Sequence, residues 1–177
     1  MLRLFKRHKL RKVFVVGLDC APPAVLFKTG AEGGLGLKDQ LPNLSRLIGE
    51  GIYGPLSSSI PCITVPAWTS MLSSKDPGML GFYGFRNRAD HSYDRMTIAT
   101  GNAIREKRVW DILTEADKDS IVVGVPQTYP IKPIKGHLIS SFLTPSVERQ
   151  YTHPNELRYD IDRVLDGATY DIDVPKF

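Results

Sequence analysis

Short apolar β-branched runs alternating with helix-period segments restrict this chain more than any other feature. Val13-Phe14-Val15-Val16-Gly17-Leu18 and Ile121-Val122-Val123-Gly124-Val125-Pro126 are each bounded by charges or loop residues. Runs of this kind read as strands buried on both faces, the habit of parallel sheets. Residues 52–58 predict a second strand and residues 137–143 a weaker fourth. Between them, Leu41, Leu44, Leu47 and Ile48 recur at helical spacing, with Gly49 and Gly51 where a C-cap belongs. Residues 64–72 begin with Thr64 ahead of Pro66, a helix-start pattern. Val109, Ile112, Leu113 and Ala116 mark a further helix over 109–118, and 155–165 predicts another. Residues 170–174 read as an extended end. Residues 29–37, with four Gly, and the long polar stretch 75–102 predict loops, the second long enough to be functional. The alternation implies an α/β fold, a mostly parallel sheet flanked by helices.

The 177 residues carry a formal charge of +4, but the excess is local. Of 23 Lys and Arg, six lie in the first twelve residues, leaving 17 against 19 Asp and Glu, a balance of −2. Residues 1–12 are therefore read as a basic tail, either solvated or in contact with an anionic partner, and 13–177 as the folded part. The body has no charge excess that would call for nucleic acid. No apolar run reaches the roughly 18 residues of a membrane span, and the N-terminus lacks the pattern of a signal peptide, so a cytoplasmic protein is expected. Cys20 and Cys62 do not make a disulfide framework and are expected as buried free thiols.

Ligand and catalytic residues of open α/β sheets gather at the carboxyl ends of strands. Asp19 directly follows the first predicted strand, where a carboxylate suits a metal ion or caps the next turn. Thr64 stands at a predicted helix entrance, whose N–H groups and positive dipole end suit a phosphate. Its hydroxyl is either an N-cap or, with its pKa lowered by a metal, a nucleophile. Phe82, Tyr83 and Phe85 either wall a pocket or pack under their loop, and Arg86, Asn87 and Arg88 either meet anionic oxygens or are solvated. His8, His91, His137 and His153 show no HxH or HxxxH spacing, so a histidine-based metal site has little support.

In combination, Val15-Val16-Gly17-Leu18-Asp19, Leu41-Pro42-Asn43-Leu44, Thr64-Val65-Pro66-Ala67-Trp68-Thr69 and Lys75-Asp76-Pro77-Gly78-Met79-Leu80-Gly81-Phe82 resemble the N-terminal part of the alkaline phosphatase superfamily. The similar branch is the type I phosphodiesterase/nucleotide pyrophosphatase-like proteins. Leu138-Ile139-Ser140-Ser141-Phe142-Leu143-Thr144-Pro145 and Tyr151-Thr152-His153-Pro154-Asn155-Glu156-Leu157 are similar to that branch too. The resemblance implies a phosphoester hydrolase with two divalent metal ions, usually zinc, acting on a phosphate-ester small molecule or nucleotide. It implies Asp19 as a metal ligand and Thr64 as the nucleophile and a metal contact, forming a phospho-enzyme that water hydrolyses. It also matches Asn87 to an asparagine that contacts the phosphate.

Two departures qualify what is expected. Leu80-Gly81 stands where related pyrophosphatases carry a histidine–glycine pair. The later aspartate–histidine ligand pair has no counterpart, because Asp90-His91 comes too soon after Thr64. The chain is therefore expected to be an N-terminal portion without the later metal ligands, weakly active or inactive alone. An oligomer or a complementing C-terminal part would then be its partner. The competing reading is a non-catalytic α/β module that binds an anion or a partner chain. Sulfatase and mutase chemistry fit less well: Cys62 lacks the sulfatase setting, and mutases place Ser where Thr64 stands.

Overall fold

The structure, a computed structural model, describes residues 12–35, 40–90 and 92–172. The expected basic tail lies almost wholly outside these residues. The chain forms two units, residues 1–56 and 57–177.

In the first unit, helix α1 (Pro23–Leu26) leads to a single 3-10 turn at Gly30–Glu32. Thr29 and Glu32 close that turn with a reciprocal capping box, Glu32 N donating to Thr29 Oγ1 at 3.3 Å and Thr29 N to Glu32 Oε2 at 2.8 Å. Helix α2 (Pro42–Glu50) starts on Pro42 and ends at Gly51, one of the two glycines expected as its C-cap, while Gly49 lies inside the helix. The rings of Phe27 and Tyr53 meet at 5.2 Å between centroids. The two strands expected here do not form. Residues 13–18 and 52–58 have no regular structure, and Phe14 and Ile52 are exposed. A β-branched run becomes a strand only where another strand completes its ladder, and among the described residues none pairs with these two.

The second unit opens with α3 (Thr64–Ser73) and α4 (Pro77–Leu80). A hairpin of β1 (Arg86–Arg88) and β2 (Met96–Ile98) follows, then a 3-10 turn at Gly101–Ala103 and α5 (Val109–Glu115). Three strands, β3 (Ser120–Val125), β4 (Gly136–Ser140) and β5 (Thr152–His153), form one sheet, and α6 (Leu157–Leu165) comes after them. β3 and β4 are parallel, with Val122 opposite Leu138, while β5 runs antiparallel to β4. This is the expected α/β class.

One face of the sheet is packed. Val122 and Leu138 cluster with Trp110 of α5 and Ile134, and Leu72 of α3 packs against them. Ile121 and Val123 point the other way and are exposed, so β3 is buried on one face, not on two as its composition predicts. Alternation along a strand sends neighbours to opposite faces, and described helices cover only one of them.

The long loop expected over 75–102 is largely ordered. Asp76 accepts from Met79 N at 3.0 Å, Pro77 occupies the first turn of α4, and Gly81 ends it at φ +75°. In the hairpin connection Ser92 N donates to Asp90 Oδ1 at 2.8 Å, and Arg95 pairs with Asp90 at 3.2 Å. Short caps and an Asx-type turn organise a segment too polar to show periodicity. Both cysteines, expected buried, are exposed, and each lies outside helix and strand. Residues 170–172 have no regular structure, and the rest of the expected extended end lies outside the described residues.

Gly136 begins β4 at φ +122°, and a Cβ there would meet Ser120 O and come within 2.9 Å of Ser120 N. Gly136→Ala is expected to destabilise the chain by about 2–3 kcal/mol, from a left-handed backbone and overlap with the facing strand. A thermal melt followed by circular dichroism checks this, and a variant melting with the wild type would contradict it.

Candidate functional site

Helix α3 is held by one face. Val65, Thr69 and Ser73, spaced four apart, are buried along with Pro66. Val65 is fully buried in a cluster with Leu80, Phe82, Ala99 and Ile104, and Phe85 packs against that cluster. Thr64 is half-buried and is the first residue of the helix. The cap position belongs to Ile63, extended at φ −115°, ψ 145°, and its carbonyl accepts Ala67 N at 3.0 Å. Of the two roles open for Thr64, the N-cap is therefore taken by its neighbour. The hydroxyl stands in the first turn of a ten-residue helix, at the positive end of its dipole.

Asn87 is half-buried in β1, opposite Thr97 of β2, whose hydroxyl donates to Asn87 O at 3.3 Å. Ala99 N donates to Phe85 O at 2.8 Å, so the base of the hairpin and the start of α3 share one core cluster. The aromatic residues divide. Phe82 is buried, Phe85 lies 5.9 Å from Phe142 between ring centroids, and Tyr83 is exposed. Arg86 and Arg88 are exposed, and the Arg88 guanidinium sits 4.8 Å from the Tyr93 ring centroid.

Asp19 belongs to the first unit. It is exposed and accepts Cys20 N at 2.9 Å, in a turn where Cys20 is left-handed at φ +54°. The helix that follows, α1, has Pro22 at its cap position and no side-chain cap.

Two adjoining clefts of 360 and 520 Å³ open around Val147, Tyr170 and their neighbours. Neither is lined by Asp19, Thr64 or Asn87. Tyr151 and Tyr170 stack there at 5.7 Å with an 11° interplanar angle. Burial first, then the Asp162 charge, pushes the Tyr151 phenol above its ordinary value, partly offset by Arg158.

The family model for type I phosphodiesterase / nucleotide pyrophosphatase matches residues 13–174. The chain belongs to this family. The family lies within the alkaline phosphatase superfamily, and its members are phosphoester hydrolases. No curated protein and no solved structure matches the chain.

As a type I phosphodiesterase family member, the chain comes from a group that generally uses divalent metal ions. Among the described residues, however, no three His, Cys, Asp or Glu side chains gather closely enough to hold one. A catalytic zinc ion takes about three protein ligands. The described residues therefore do not by themselves fit a two-metal centre. No described helix is long and apolar enough to cross a membrane.

Four polar residues of the second unit stand outside the roles expected from the sequence. Gln127, Thr69, Arg108 and Thr128 are all buried. Burial lowers the Arg108 guanidinium from its ordinary value, opposed by the Asp111 charge and then by its hydrogen bond. The available signal was positional: Gln127-Thr128 follows β3 at the end where α/β proteins place polar function.

Proposed function

We propose that this phosphodiesterase-family chain carries the nucleophile of a metal-dependent phosphodiester or nucleotide hydrolase, and that the nucleophile is Thr64. The observation supporting this most is the setting of Thr64, half-buried in the first turn of α3 with Val65 anchoring that turn in the core. Such a turn offers N–H groups and a partial positive charge to a phosphate. Asn87, half-buried in the hairpin, contributes an amide to a phosphate oxygen in this reading.

In the reaction, Thr64 Oγ forms a bond to phosphorus and its hydroxyl proton passes to solvent. The bond between phosphorus and the leaving oxygen breaks, and that oxygen takes a proton from solvent. Water then cleaves the threonine-linked phosphodiester, releasing the phosphate monoester and restoring the hydroxyl. Divalent metal ions, zinc in this proposal, supply charge neutralisation at the phosphoryl oxygens when bound. Asp19 and Thr64 are each assigned in this proposal as a donor to such an ion, and turnover by the isolated chain is expected to be slow.

The test is acid quenching of the chain after incubation with zinc and bis-p-nitrophenyl phosphate, followed by peptide mass spectrometry. Slow labelling accumulates even where steady-state turnover is slight. A p-nitrophenylphosphoryl adduct on the Thr64 peptide is expected, one p-nitrophenolate having left, and an adduct elsewhere overturns the assignment. Calorimetric titration with zinc should show binding that weakens at least about tenfold in Asp19→Ala, as loss of one of few ligands requires. Unchanged zinc affinity removes Asp19 from the site.

A further inference from the structure

Gln127 lies two residues past β3 and is fully buried. Its backbone is left-handed at φ +58°, a conformation that disfavours a residue with a side chain. A buried, strained polar residue persists only where its surroundings hold it in place. Its polar groups are shared among three places in the second unit. The amide oxygen accepts the hydroxyl of Thr69, in the middle of α3. The amide nitrogen donates to Ala99 O at 2.7 Å, just past β2. Its main-chain carbonyl accepts Arg108 Nη1 at 2.9 Å, at the start of α5.

A second observation is the close approach of Gly101. A Cβ on Gly101 would stand 2.8 Å from Gln127 O and 2.9 Å from Tyr129 O. Gly101 N donates to Tyr129 O at 2.7 Å. The segment after β3 is thus fitted backbone to backbone against the segment after β2.

We infer that Gln127 is a positioning residue: it locks the rotation and axial setting of α3, and so fixes where Thr64 stands. The inference rests on Thr64 being the nucleophile. Apolar burial of Val65 holds the helix to the core but is non-directional. The bond from Thr69, one turn along the same face as Val65, is directional and sets the register. Displacing a reacting group by about 1 Å can cost about 100-fold in rate.

The test uses the full chain as wild type, Gln127→Met, Thr69→Val and Thr69→Ser. Gln127→Met keeps length without the amide, Thr69→Val keeps shape without the hydroxyl, and Thr69→Ser keeps the hydroxyl. Amide exchange is read in α3, with β4 as the internal control, beside the rate of Thr64 labelling by bis-p-nitrophenyl phosphate. Gln127→Met and Thr69→Val should exchange α3 amides at least tenfold faster while β4 is unchanged. Both should label Thr64 about 10–100-fold more slowly, and Thr69→Ser should match the wild type in both readouts. If Gln127→Met does not fold, Thr69→Val carries the same test.

Unchanged α3 exchange in the variants overturns the inference. So does faster α3 exchange with Thr64 labelling at the wild-type rate. Absence of labelling in the wild type overturns the nucleophile reading and the positioning role together, and α3 exchange then reports on the clamp alone.

Discussion

Thr64→Ala is expected to abolish the phosphoryl adduct and lower any diester turnover by at least about 100-fold, because the attacking oxygen is gone. Ile63, not Thr64, occupies the cap position of α3, so alanine removes no N-cap. Alanine is also the best helix former, so the helix itself loses no propensity. A melting temperature equal to wild type would show that activity is lost without unfolding. Thr64→Ser, which keeps a hydroxyl, should retain activity within about tenfold and still trap the adduct. Turnover surviving in Thr64→Ala, with the adduct gone or moved, would exclude the residue from the chemistry.

Phe82→Ala should give the largest loss of stability. Its ring is 1% exposed and packs with Val65, Leu80, Ala99 and Ile104. Removing a buried ring costs about 3–5 kcal/mol, from lost transfer energy and the cavity left behind. A domain is stable by only about 5–15 kcal/mol, so a large share of the margin disappears. The cluster also seats the first turn of α3 through Val65, so the loss should be felt at Thr64 too. Urea denaturation of the wild type, Phe82→Leu and Phe82→Ala checks the first part. Leucine should cost less than alanine, and a loss below about 1 kcal/mol for alanine would mean the cavity collapses or the ring is not core. Of the two roles open to Phe82, pocket wall or packed ring, burial places it in the core.

Much of the local architecture was legible in the sequence. Pro42 and Gly51 bracket α2 and Thr64 opens α3, because caps and turns depend on residues a few positions apart. The β-branched run at 121–126 and the weaker strand expected over 137–143 formed β3 (Ser120–Val125) and β4 (Gly136–Ser140). The motifs around Asp19 and Thr64 pointed to a family that the match over residues 13–174 establishes.

Pairing and burial were not legible there. The run at 13–18 is as strand-like in composition as the one at 120–125, yet only the second has a partner, Gly136–Ser140, among the described residues. Burial of β3 on one face was likewise decided by where Trp110 and Leu72 fall, and these are set by the path of the chain. Gln127 shows the difference most clearly. Its type and place mark a loop after a strand, but its role depends on Thr69, Ala99 and Arg108, which lie 58, 28 and 19 residues away. Local sequence specifies propensities, caps and motif chemistry because those interactions span a few residues. Which distant polar groups meet is decided only when the chain has folded, since a directional hydrogen bond forms only once both partners are in place.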